Sequence, residues 1–433
     1  MNRNDRAITG LVMLSHSLVH TYEFAIPVLI PIWIATFDTS AALVGIVVTV
    51  GLSLFGLGSL PAGVLADRVG SKPLLVACLL GMGGAFLLLG IAPNLIVLTL
   101  ALVFWGAAAS VHHPAGLSLV TKGVKERGNA FAYHGTAGNV GTAIGPLLTT
   151  LLLFAFAENW RFVAAVLAVP ALVGAFLAFR IDVDESAAVR PAATDGGEDS
   201  GNRTAAGDGG DAGTDEDGST DKGQPGIGSI EEFLSTSKVL LASAFLLVFG
   251  VVMLSGLYYR GALTFLPALL SGFDAISPVS VLGRTLEPAN YVFTGLLAVG
   301  VFGQYAGGKL TDRIDLELGL LIGYGTLALI AVVYLPAASA GLLPLLALSA
   351  VLGFFLFFVQ PFYQATVAEY TPPEARGLSY GYTYLGVFGV GALGASVAGG
   401  ILTYFSQFVL FVVLAAFALA ASSIAAYLHT RSD

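Results

Sequence analysis

Charge is scarce in this chain: only 11% of its 433 residues are Asp, Glu, Lys or Arg, against roughly 25% in a soluble globular protein. A water-soluble fold is excluded at that level. Cysteine is nearly missing. Cys78 stands alone inside an apolar run, so a disulfide framework and a cysteine-based zinc site are both ruled out. No phosphate-cradling G-x-x-x-x-G-K-[ST] segment occurs, which excludes a nucleotide-driven machine of that type, and no H-E-x-x-H segment occurs either. With 19 basic residues against 28 acidic ones, nucleic acid is not an expected partner. Apolar residues, by contrast, make up 56% of the chain, and its 54 glycines are about one residue in eight. Glycine at that density in an apolar chain suits membrane helices whose backbones touch.

Apolar runs long enough for one span, about 20 residues, occur at 8–36, 42–66, 73–92, 94–121, 129–154 and 159–180. Six more occur at 239–270, 288–310, 317–336, 341–368, 377–404 and 407–428. The pattern predicts an all-α integral membrane protein with twelve transmembrane helices. The first run is longer than a signal-peptide core and is expected to stay as the first span. Between the two sets, residues 182–232 hold fourteen of the acidic residues and three basic ones, a local charge of −11 within a total of −9. Such a segment has too few apolar side chains to order itself. The expected organisation is a six-helix bundle at 1–181, an acidic disordered linker at 182–237, and a second six-helix bundle at 238–433. With the N-terminus inside, thirteen of the nineteen basic residues fall in short inner segments, while Arg161 and Arg284 fall outside. Basic residues favour the cytoplasmic side, so both termini and the linker are expected there, in the cell membrane.

The two halves repeat each other. LVMLSHSLVH at 11–20 aligns with VVMLSGLYYR at 251–260, and the same offset carries Pro27 onto Pro267 and His20 onto Arg260. Asp67-Arg68 corresponds to Asp312-Arg313, and Arg127-Gly128 to Arg376-Gly377, with a small drift that short loop insertions explain. Two parallel copies make two pseudo-symmetric bundles, a plan suited to rocking around a site near mid-membrane.

GVLADRVGSK at 63–72 lies between spans 2 and 3, and GKLTDRID at 308–315 repeats its position. Gly63 and Gly70 allow close turns. Asp67 and Asp312 can cap a helix or pair with a base, and Arg68, Lys72 and Arg313 can reach the other bundle as a gate latch. With twelve spans and the 6+6 duplication, this ten-residue motif resembles the loop signature of the major facilitator superfamily, over nearly the whole chain except the linker. LSH at 14–16, SVHHPAG at 110–116 and GNVGTAIGPLL at 138–148 resemble the fosmidomycin-resistance-type drug efflux branch of that superfamily. The resemblance implies a secondary active transporter that works by alternating access, not an enzyme. It implies a proton-coupled exporter of drug-like or anionic compounds, with a solute importer or facilitator of the same fold as the alternative. It further implies that Gly138, Gly141, Gly145 and Pro146 form the antiporter-type signature of span 5, although simple close packing accounts for that stripe equally. One departure stands out: where such exporters carry an arginine in span 4, this chain has Leu102.

Ionisable groups at membrane depth are costly and mark function by default. His16, His20 and Glu23 are spaced i, i+4, i+7, which puts them on one stripe of span 1. Symmetry predicts His20 and Arg260 facing each other across a central cavity. Glu23 and His20 could exchange a proton; Arg260 could bind an anionic substrate; or Glu23 and Arg260 could simply pair and hold the bundles together. His113, ahead of Pro114, is the better functional candidate of the His112-His113 pair, while His112 and His134 are expected to bond neighbouring helices. The expected partners are a small-molecule substrate, protons and the lipid bilayer, with the protein a monomer. No cofactor and no metal are expected, although a histidine set of His16, His20, His112 and His113 would be the ligands of a metalloprotein reading.

Overall fold

The computed structural model describes residues 1–189, 230–281, 283–372 and 375–432. In a bilayer core every backbone N–H and C=O must bond within the segment, and the apolar runs accordingly form helices. In the first half these are α1 (Arg3–Thr36), α2 (Ala41–Val69), α3 (Ser71–Gly90), α4 (Leu95–Ala109), α5 (His112–Gly123), α6 (Arg127–Ala155) and α7 (Trp160–Arg180). Small polar side chains start several of them. Asn2, Ser40, Asn94 and Asn159 each accept a backbone N–H from the first turn, at 2.9–3.2 Å. The second half contains α8 (Ile230–Leu241), α9 (Phe245–Leu263), α10 (Leu266–Ser271), an antiparallel hairpin of β1 (Val279–Val281) and β2 (Arg284–Leu286), then α11 (Pro288–Leu310), α12 (Leu316–Ser339) and α13 (Leu342–Glu369). It ends with α14 (Arg376–Tyr384), a π-helical stretch at Leu385–Val390, α15 (Leu393–Tyr404) and α16 (Gln407–Ser432).

Three spans are broken, each for a local reason. Pro114 cannot donate to the carbonyl of Ser110, so span 4 splits there into α4 and α5. The freed carbonyl accepts from Ser59 Oγ at 3.2 Å. Pro267 sits in the first turn of α10 just after the break that ends α9, whereas its repeat partner Pro27 lies inside the unbroken α1. Span 11 passes through a π-helical stretch rich in glycine, a form found chiefly at functional sites.

Eleven helices among the described residues are long and apolar enough to cross a membrane when each broken pair counts as one. The twelfth expected span is α11. It is a helix of 23 residues in its expected place, but Asn290, Thr294, Gln304 and Lys309 dilute its apolar character, and it packs between α6 and α13. Large apolar side chains such as Ile96, Leu100, Phe176, Leu329 and Leu343 stand half or more exposed around the outside, as lipid-facing surface requires.

Packing follows the sequence repeat. In the first bundle α1 lies on α6, α2 on α4 and α3 on α7; in the second α9 lies on α15, α11 on α13 and α12 on α16. The bundles meet through two related pairs, α2 with α15 and α6 with α11.

The face that carries the termini is tied together by polar contacts. Asp5 accepts from the backbone N–H groups of Lys125 and Glu126 at 3.3 Å each, and the α-amino group of Met1 pairs with Glu126. Hydrogen bonds from that amino group and from Asn129 hold the Glu126 carboxyl below the usual range. The chain after α7 departs from expectation. Residues 182–189 lie within the expected disordered linker, yet they fold back onto this face. Asp184 N–H donates to Asn4 Oδ1 at 2.8 Å, and Glu185 accepts from Ser71 N at 2.7 Å and Lys72 N at 2.9 Å, capping α3. Charge there is used against orphan N–H groups, which net composition cannot reveal. The linker's far end, from Ile230, is likewise helical in α8, with Ser237 buried. Residues 190–229 lie outside the described residues. On the opposite face, Ala42 N donates to Thr403 Oγ1 at 2.8 Å, and Arg284 donates to the carbonyls of Phe154, at 2.9 Å, and Ala155.

Candidate functional site

Between the bundles lies a cavity of about 430 Å³ whose wall includes His16, His20, Glu23, His113 and His134 from the first bundle and Tyr259, Gln304, Gln360, Tyr363 and Tyr384 from the second. α1 is unbroken through this region, so the i, i+4, i+7 spacing does put His16, His20 and Glu23 on one stripe. They form a chain of hydrogen bonds. Glu23 Oε2 is 2.6 Å from His20 Nδ1, His20 Nε2 is 3.0 Å from His16 Nε2, and His16 Nδ1 donates to the carbonyl of His134 at 2.8 Å. Because the carbonyl can only accept, His16 Nε2 is the acceptor toward His20. One proton is then shared between His20 and Glu23. Either a doubly protonated ring faces a carboxylate, or a carboxyl group donates to a neutral ring.

The other oxygen of Glu23 accepts from Arg260 Nη2 on α9. Symmetry alone predicts His20 opposite Arg260, and the structure corrects that: the carboxylate, one turn further along α1, takes the guanidinium. A buried cation demands an anionic partner more than it demands an imidazole. Glu23 and Arg260 are 3% and 5% exposed. Among the described residues Glu23 is the one carboxylate buried in the middle of a span. It touches the cavity, whereas Arg260 lies behind it, packed over the rings of Tyr259 and Phe388 at 5.5 Å each.

His113 borders the cavity and stacks on Tyr384 at 5.0 Å between ring centres. His112 and His134, expected to serve as ordinary packing groups, join it: all four of His16, His112, His113 and His134 are buried and grouped. Spacing along the chain carries no signal for this grouping: His112 and His113 are neighbours on α5, and His134 is brought in by the crossing of α6 on α1.

The expected packing glycines lie where α6 crosses α1. A Cβ at Gly141 would strike the carbonyl of Ser17, one at Gly145 that of Thr21, and one at Gly138 the ring of His16. Gly138 therefore makes room for the histidine, and the other two bring the backbones together. Pro146 follows inside the same helix without breaking it.

The loop motif lies on the terminal face. Gly70 has φ of +89° and joins α2 to α3, a backbone state that suits glycine, while Gly63 faces open space. Asp67 does not cap the next helix, since Glu185 does. It accepts from Lys122 Nζ at 2.6 Å, inside its own bundle. Lys72 Nζ donates to the Phe179 carbonyl at 3.4 Å, and Arg68, Asp312 and Arg313 are exposed. In this conformation the bundles are joined on the opposite face, at Ala42–Thr403 and Arg284–Phe154. A second cleft of about 360 Å³ opens there, next to Glu158 and Glu287. Burial, and then Glu158, push the Glu287 carboxyl above its ordinary value.

The chain matches the family model described as Major Facilitator Superfamily over residues 12–395, and again over 275–433. Among curated relatives, a Na⁺, Li⁺, K⁺/H⁺ antiporter of Planococcus maritimus is 31% identical over 150 residues, 33% of each chain. Multidrug resistance protein MdtH of Klebsiella pneumoniae is 33% identical over 105 residues, 24% of this chain and 25% of that one. The aligned stretches thus span only a quarter to a third of these relatives. Among solved structures, a bacterial homologue of the human lysosomal transporter Spinster, in an inward-facing and occupied conformation, superposes with a TM-score of 0.69. That alignment covers 100% of this chain and 98% of the other at 17% identity.

Proposed function

The chain belongs to the major facilitator superfamily, and from that premise we propose a proton-coupled exporter of drug-like compounds that works by alternating access, with its terminal face in the cytoplasm. The observation that carries this reading is the Glu23–Arg260 pair, with the carboxylate on the cavity side. A cationic or hydrogen-bonding guest that enters the cavity meets Glu23 first. It competes there with a proton for the same oxygen atoms, and mutually exclusive occupancy is what makes an antiporter. Glu23 is bonded to His20 on its own helix and to Arg260 on α9, and Tyr259 on α9, Tyr363 on α13 and His113 on α5 line the same cavity. The wall combines aromatic and apolar surface with amide, hydroxyl and imidazole groups, so a drug-sized ligand can both pack against it and bond to it.

The same geometry gives the second reading its content. An anionic guest has to displace Glu23 from Arg260, and the displaced carboxylate then favours a proton. Anion and proton would move in the same direction, which is the importer alternative. The similarity to a cation/proton antiporter and to a multidrug resistance protein supports the first reading.

The test uses proteoliposomes with an imposed pH gradient and a panel of cationic, neutral and anionic compounds, read by an internal pH dye and by compound uptake. Antiport predicts proton movement opposite to the compound, and co-movement selects the anion reading. Glu23→Gln is expected to abolish uphill transport while leaving equilibrium exchange measurable. Normal uphill transport by that variant would remove Glu23 from the coupling step.

A further inference from the structure

We infer that the histidine cluster inside the first bundle is a binding site for one late transition-metal dication of the zinc class, held by His112, His113, His134 and His16. All four side chains are at least nine-tenths buried, at 0%, 6%, 7% and 7% exposure. One ring nitrogen from each can be chosen so that the four atoms lie within 4.8 Å of one another. A tetrahedral ion with metal–nitrogen bonds of about 2.0–2.1 Å needs its ligand atoms roughly 3.3 Å apart, so the widest-spaced of them have to close by about 1.5 Å. The rings are stacked, His16 on His134 at 3.8 Å and His16 on His112 at 5.0 Å. Binding therefore requires the imidazoles to turn about χ2.

What points to a ligand is the unsatisfied chemistry. Both nitrogens of His112, Nε2 of His113 and Nδ1 of His134 are buried without a hydrogen-bond partner. Native interiors seldom leave one such atom orphaned, and here four are gathered in one place. Imidazole nitrogen suits zinc, nickel, cobalt or copper, and a set of four histidines with no carboxylate disfavours magnesium and calcium. Access exists, because His16, His113 and His134 all border the cavity. The protein supplies the geometry from three elements, α1, α5 and α6, so a bound ion would fasten them to one another. His16 is the ligand with a competing role: its Nε2 either accepts from His20 or meets the ion.

The test is equilibrium binding on the full-length protein, purified without a histidine tag and treated with chelator. Co²⁺ is added as an optical probe and Zn²⁺ as its competitor. The expected result is about one ion per chain, a visible-range spectrum of tetrahedral cobalt, and its loss on adding zinc. His134→Gln and the pair His112→Gln/His113→Gln should each weaken binding by roughly tenfold or more, and the ion should no longer raise the melting temperature. His429→Gln should keep full binding. His134 borders the cavity, so its variant tests the site even if the double variant does not fold. Binding that survives all the ligand variants, or that is lost in His429→Gln, would overturn the assignment, as would no binding to the native chain. None of these readouts depends on transport, so the site and the exporter reading can fail separately.

Discussion

At the scale of single residues, the buried ion pair sets two different demands that one experiment can separate. Glu23 and Arg260 join the bundles, and removing one partner leaves the other charge buried and uncompensated, at a cost of about 3–5 kcal/mol. Arg260→Ala is therefore expected to lower the melting temperature sharply, while Glu23→Gln combined with Arg260→Met should recover to near or above the native value, as measured by thermal unfolding in detergent. If the double variant is as unstable as the single one, the pair is not what holds these helices. The residues of this pair were legible in the sequence, because charge inside an apolar run is conspicuous. The partnership was not fully so. A repeat offset of 240 sets His20 against Arg260, and only the lengths of the two side chains and the need of a guanidinium for an anion select Glu23 instead. His134 was less visible still. It sits near one end of its span, and its company depends on how α6 crosses α1, which is a property of packing.

At the scale of elements, glycine spacing carried more information than hydrophobicity. Most of the long helices here, α1 and α11 apart, are apolar over most of their surface, so an apolar face seldom tells which side meets a neighbour. The stripe at Gly141 and Gly145 does, because a side chain there would overlap the α1 backbone at Ser17 and Thr21. Gly141→Leu is accordingly expected to prevent assembly of the first bundle, read as loss of the monodisperse peak in size-exclusion chromatography. Gly400→Leu, where nothing lies within 4 Å of a Cβ, should leave that peak intact. Equal behaviour of the two variants would mean that the α1–α6 crossing does not rely on backbone contact. The breaks in spans 4 and 7 follow from Pro114 and Pro267 once the lost hydrogen bond is considered, yet Pro27 and Pro146 lie inside continuous helices. Proline alone therefore does not decide whether a membrane helix breaks. Neighbouring groups such as Ser59, which takes over the freed carbonyl of Ser110, decide it too.

At the scale of the whole molecule, the question is which face is closed. The twofold arrangement was legible from the internal repeat, and the pairings α1–α6 with α9–α15 and α3–α7 with α12–α16 follow it. The conformation was not legible, since one sequence must support both ends of a transport cycle. In this state Asp67 turns to Lys122 within its own bundle, while the opposite face is held by Ala42–Thr403, Arg284–Phe154 and the Thr49–Ser396 contact at 2.7 Å. These bonds have to break if the cavity is to open on that side. Cysteines placed together at Ala42 and Thr403 should lock it shut when oxidised, and the native Cys78 is fully buried and can be replaced by alanine to clear the background. The expected outcome in proteoliposomes is loss of transport on oxidation and recovery with reductant, with either single cysteine variant unaffected. A cross-linked protein that still transports at its full rate would mean that substrate never passes this face, and alternating access through the central cavity would have to be given up.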